Sequence, residues 1–97
     1  MTLNEKILAW AKERDLLKPE NANRQFLKLV EEVGELASAM AKNNSEGIVD
    51  ALGDIQVVLI ILARQLDYSY TMCLEIAYET IKNRTGKTVD GVFVKDV

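Results

Sequence analysis

The sequence predicts a small all-α protein of the four-helix-bundle type. Three observations predict it. The 97 residues hold one Pro and five Gly, so little interrupts a helix. Apolar residues recur at three- and four-residue intervals through four separate stretches. No alternating strand pattern occurs before the tail that begins at Arg84. This length suits one domain, 1–97, and a composition 48% hydrophobic and 28% charged is globular in class.

The first helix is expected from about Leu3 to Leu16, with Thr2 or Asn4 as its cap. Leu17 to Asn21 is a turn, because Pro19 disfavours helix in the residue before it. The second helix runs from about Asn23 to Lys42. Its stripe of Phe26, Val30, Val33, Ala37 and Met40 is expected to be the core face. Asn43-Asn44-Ser45 ends it, and Ser45 is expected to cap the third helix, about Glu46 to Leu66. From Ile55 to Ala63 that helix is apolar almost all round, which predicts burial on every side. So much apolar surface exceeds what a small monomer hides, and a homo-oligomer is expected, a tetramer in preference to a dimer. The fourth helix runs from about Tyr70 to Asn83, with Tyr68, Tyr70 and Tyr78 as packing residues. In the tail, Gly86 and Gly91 punctuate a stretch in which Val92, Phe93 and Val94 are extended or pair with Val89.

A net charge of −3 weighs against nucleic-acid binding. The lone Cys73 cannot form an internal disulfide and is expected in the core. The first residues lack the apolar region of a signal peptide, and Ile55–Ala63 is too short to span a bilayer. The expectation is a cytoplasmic protein with no membrane partner.

Five carboxylates stand out against this background. Glu31, Glu32 and Glu35 lie on the second helix, and Asp50 and Asp54 on the third. Residues three or four apart share a helix face, so each cluster presents its acids together. Antiparallel packing of the two helices lets the clusters face each other. Converging carboxylates repel unless a cation lies between them. With no His in the chain, a hard divalent cation on oxygen ligands is the natural compensator. Spacing alone fits a solvated face or an ion-pair network equally well, with Lys28 placed to pair with Glu31 and Glu32. Asp50 and Asp54 favour the cation, because they interrupt the most apolar helix. Gly34 and Gly53, each beside an acid, suggest close approach of helix to helix or of a bound group to backbone.

At these residues the chain resembles the MazG-like all-α nucleoside triphosphate pyrophosphohydrolases, in particular compact single-domain members such as those of phages and mobile elements. Glu32-Val-Gly-Glu35 matches the first half of their acidic signature, preceded by Glu31. Leu-Gly-Asp54-Ile and the apolar run after it match the second half. One position departs: the family's second-half Glu falls on Ala51, and Asp50, one residue earlier, is the stand-in. The resemblance implies Mg²⁺-dependent cleavage of a (deoxy)nucleoside triphosphate to monophosphate and pyrophosphate, with Mn²⁺ as a substitute metal. It implies Glu32, Glu35, Asp50 and Asp54 as metal ligands, and Glu31 or Glu35 as the group that orients water. It also implies dimers or tetramers whose sites draw on more than one subunit. Lys82, Arg84 and Lys87 are the candidates for phosphate, although cations at a helix C-terminus are also favoured by its dipole alone. Trp10 and Gln25 are the candidates for the base, with Asn21 behind them; Trp10 suits the core equally. Two alternatives remain open: a catalytically weak or inactive oligomerisation or nucleotide-binding module, favoured by Ala51, and a phosphohydrolase cleaving elsewhere in the phosphate chain.

Overall fold

The computed structural model describes residues 1–97 and contains four α-helices followed by a β-hairpin. The helices are α1 (Leu3–Glu13), α2 (Ala22–Ala41), α3 (Ser45–Gln65) and α4 (Tyr70–Ile81). A 3-10 turn, Pro19–Asn21, leads into α2. Strands β1 (Gly86–Val89) and β2 (Val92–Lys95) pair antiparallel, Val89 opposite Val92. The all-α reading holds, and the tail is the hairpin.

Local chemistry sets the ends of these elements. Thr2 caps α1 in a capping box: its hydroxyl accepts from the Glu5 N–H, and the Glu5 carboxylate accepts from the Thr2 N–H. The cap of α3 is Asn44 rather than Ser45. Its side-chain oxygen accepts from the Gly47 N–H at 3.1 Å, which makes Ser45 the first helical residue. Ser69 caps α4 by accepting from Met72. Asp90 and Gly91 both take positive φ, the two-residue hairpin turn that matches strand twist.

Helices α2 and α3, joined by three residues, form an antiparallel pair that is the main packing unit. The inward stripe of α2 is Leu29, Glu32, Leu36 and Ala39, not the stripe expected. Phe26, Val30, Val33, Ala37 and Met40 are all exposed. Nor is α3 buried on every side: Ala51, Val58, Ile60, Ile61 and Gln65 are buried, while Leu52 and Leu66 are exposed. No residue of α4 is buried, and Cys73, Tyr68 and Tyr78 are exposed. Cys73 instead borders an apolar groove between α3 and α4, with Leu59, Leu62, Leu66 and Leu74. Gly34 and Gly53 adjoin no neighbouring element, since a Cβ on either would touch nothing within 4 Å. The close approach falls elsewhere, at Gly47, where a Cβ would meet Ala39 at 3.1 Å and Asn44 at 2.8 Å.

Only eight of the 97 residues are buried, and the radius of gyration is 16.1 Å. A compact chain of this length has a radius near 12–13 Å. The accessible surface is 7631 Å², against about 5,600 Å² for a compact monomer of this mass. The missing burial is concentrated on the outer stripe of α2, on α4 and on the hairpin. No helix is long and apolar enough to cross a membrane.

Candidate active site between α2 and α3

A groove of about 610 Å³ runs between α2 and α3. One wall is Asn21, which ends the 3-10 turn, with Arg24, Gln25, Lys28 and Glu32 of α2. Its α3 wall is Asp54, Val57, Val58, Ile61 and Gln65. Trp10 of α1 and Leu16 of the following turn close one side. A second groove of about 350 Å³ carries Glu35, Asp50, Ala51 and Asp54 among its lining residues. Asp54 borders both grooves, sharing the first with Glu32 and the second with Glu35 and Asp50.

Glu32 is the least ordinary of them. It is 4% exposed, and a carboxylate buried that far needs compensation. One oxygen lies 3.1 Å from the Lys28 ammonium, and Oε2 is buried without any partner. Lys28 also approaches Glu31 at 3.7 Å. The ion-pair expectation therefore holds for this lysine, but it serves only half of the Glu32 carboxylate. The Lys28 pKa is raised by its hydrogen bond to Glu32 and then by the charge of Glu31.

Glu35 shows the opposite strain. The proximity of the Glu32 carboxylate, and its charge, raise the Glu35 pKa from the ordinary 4.5. A carboxylate held up by a like charge marks a place where negative charge is in excess. No three acids stand together closely enough to enclose a metal ion. The orphan oxygen of Glu32, the crowding of negative charge at Glu35 and an all-oxygen donor set nonetheless fit a hard divalent cation. Asp50 lines the second groove beside Ala51, which is buried at the position where a Glu was expected.

Trp10 and Gln25 line the first groove, as does Asn21. Arg14 stacks over the Trp10 ring at 4.4 Å and donates to the Trp10 carbonyl. Lys82, Arg84 and Lys87 line neither groove; Lys82 pairs with Glu79 at 2.7 Å on α4, and Lys87 lies on β1. Within one chain the cations at the groove are Arg24 and Lys28, residues that sequence reasoning had not placed on phosphate. Gln65 was missed as well. It is 3% exposed, its Nε2 donates to the Leu16 carbonyl at 2.9 Å, and its Oε1 has no partner. The available signal was register: Val58, Ile61 and Gln65 follow one helix face inward.

Fold and site thus define an all-α chain whose interhelical groove joins carboxylates to cations. The comparisons place it more closely. The model of the MazG nucleotide pyrophosphohydrolase domain matches residues 21–93, which include both walls of the groove, and the chain belongs to that family. The chain is 48% identical over 56 residues to a protein of Haemophilus phage HP1 described as an uncharacterised 18.2 kDa protein of the rep-hol intergenic region. The match covers 58% of this chain and 34% of that relative. No solved structure matches.

Proposed function

We propose that the chain, acting as one domain over residues 1–97, hydrolyses (deoxy)nucleoside triphosphates to the monophosphate and pyrophosphate in the α2–α3 groove, with Mg²⁺ required. The supporting observation is the half-satisfied, buried Glu32 carboxylate at the end of that groove, beside Asp54. Glu32, Glu35 and Asp54, with Asp50, are the residues that would hold the metal. When bound, Mg²⁺ neutralises phosphate oxygens and offsets the charge that develops on them.

The side chains supply the rest. Lys28 fixes one oxygen of Glu32 and leaves the other free to ligate. Arg24 and Lys28 bring positive charge to the triphosphate, Arg24 through its planar fork of donors. Glu31, exposed, or Glu35, at the second groove, orients the attacking water. Trp10 and Gln25 offer a stacking ring and an amide to the base. Lys82, Arg84 and Lys87 would meet phosphates only as residues of another copy. The exposed apolar stripe of α2 and the unburied α4 support self-assembly, a tetramer in preference to a dimer. A panel of NTPs and dNTPs with Mg²⁺, scored for pyrophosphate against orthophosphate, tests the reaction.

One observation favours a second reading. No three acids enclose a cation site, and Ala51 supplies no carboxylate. A chain that binds nucleotide without turnover fits this, and the same panel separates the two by the absence of products.

A further inference from the structure

We propose that the groove selects nucleotides whose base carries an exocyclic amine on its far edge, cytosine and adenine, and that Gln65 selects them. This rests on the reading of the groove as a nucleotide site.

The groove has a direction. Its walls carry their residues at matching intervals, 21, 24, 25, 28 and 32 on α2 and the turn before it against 54, 57, 58, 61 and 65 on α3. Because the helices are antiparallel, Glu32 faces the Asp54 end and Asn21 the Gln65 end. Asp54 and Gln65 are eleven residues apart, about 16 Å along the helix axis. A triphosphate drawn to the acidic end, with its metal, directs the base toward Trp10, Ile61 and Gln65.

Gln65 is fixed at that end. Its Nε2 donates to the Leu16 carbonyl at 2.9 Å. A carbonyl can only accept, so the amide cannot be turned the other way round. Its Oε1 can therefore only accept; it has no partner and is itself sealed from solvent, so a base reaches it only when a neighbouring side chain moves aside. Among the main grooves, Gln65 borders this one alone. The substituent of a base farthest from its sugar is the C4 group of a pyrimidine or the C6 group of a purine. In cytosine and adenine that group is an amine, which donates to Oε1. In uracil, thymine and guanine it is a carbonyl, which sets acceptor against acceptor and leaves both unpaired.

The test is calorimetric binding of non-hydrolysable α,β-imido nucleotides to the full chain with Mg²⁺. The dCTP analogue binds about 10- to 100-fold more tightly than the dUTP analogue. The dATP analogue exceeds the dGTP analogue in the same sense, and a 4-deamino dCTP analogue falls between cytosine and uracil. In Gln65→Met the cytosine-to-uracil ratio falls to near one while the uracil analogue still binds, a change that general loosening of the fold does not produce. If that variant does not fold, the unmodified chain against the cytosine, uracil and deamino analogues decides alone. Equal affinities, or tighter binding of the oxo bases, overturn the assignment of Gln65 and leave the nucleotide site standing. Binding of none of these ligands overturns the nucleotide site and this inference with it.

Discussion

The Lys28 ammonium lies 3.1 Å from one oxygen of Glu32 and leaves the other buried without a partner. The pair is an unfinished salt bridge at the centre of the acidic site, and its chemistry can be tested from either side. Replacing Lys28 by Met strips the only cation from a buried carboxylate. Urea unfolding without divalent ions should show a loss of stability, because the buried Glu32 carboxylate then has no partner on either oxygen. Added Mg²⁺ should recover more stability in the variant than in the parent. Equal response to Mg²⁺ in both would detach Glu32 from the metal.

Ala51 gives a second test, at a buried position on the second groove. Ala51→Glu places a carboxylate among Glu35, Asp50 and Asp54. Without a cation the added charge should lower the melting temperature, because a buried unpaired charge is costly. With Mg²⁺ the variant should regain that loss and bind the ion more tightly than the parent. A melting temperature indifferent to Mg²⁺ would remove position 51 from the site.

The capping box of α1 carries a pH signature away from the site. Hydrogen bonds from the Thr2 backbone and then its hydroxyl hold the Glu5 pKa below 4.5. A depressed carboxylate stabilises the folded chain above its unfolded pKa, and that contribution is lost as pH falls through the folded value. Glu5→Gln should therefore narrow its stability gap to the parent as pH drops below 4.5. Thr2→Ala should cost about 1 kcal/mol near neutral pH. A gap for Glu5→Gln that stays constant down to pH 2 would contradict the linkage.

The outer face of α2 makes a prediction about assembly. Phe26, Val33 and Met40 are exposed along one stripe. Val33→Glu should shift the mass measured by light scattering to that of a single chain and lower the melting temperature. A parent chain already monomeric at micromolar concentration would refute self-assembly through this stripe.

The gap between sequence and structure follows the same division between faces. Four helices were legible because caps and breaks are local: Thr2 and Pro19 act on the residues beside them. The hairpin was legible from its glycines and valines. The inward face of α2 was not, because its stripe contains Glu32 and small Ala39, whereas the outward stripe holds Phe26 and Met40. Hydropathy marks a face as apolar without saying which neighbour covers it. The acids on facing helices were legible from spacing, and Trp10 and Gln25, which line the groove, from the chemistry a base would need. Arg24, Lys28 and Gln65 as groove residues were not, since each reads as an ordinary polar helix position until α2 and α3 are packed together.

The most direct test of the groove as a pyrophosphohydrolase site is the identity of the phosphate released. The purified chain is incubated with each dNTP and Mg²⁺, and products are resolved for the parent, Glu35→Gln and Asp54→Asn. The parent should yield monophosphate and pyrophosphate in equal amounts, and both variants should yield neither while keeping their helical circular dichroism. Release of orthophosphate, or full turnover in either variant, would contradict it.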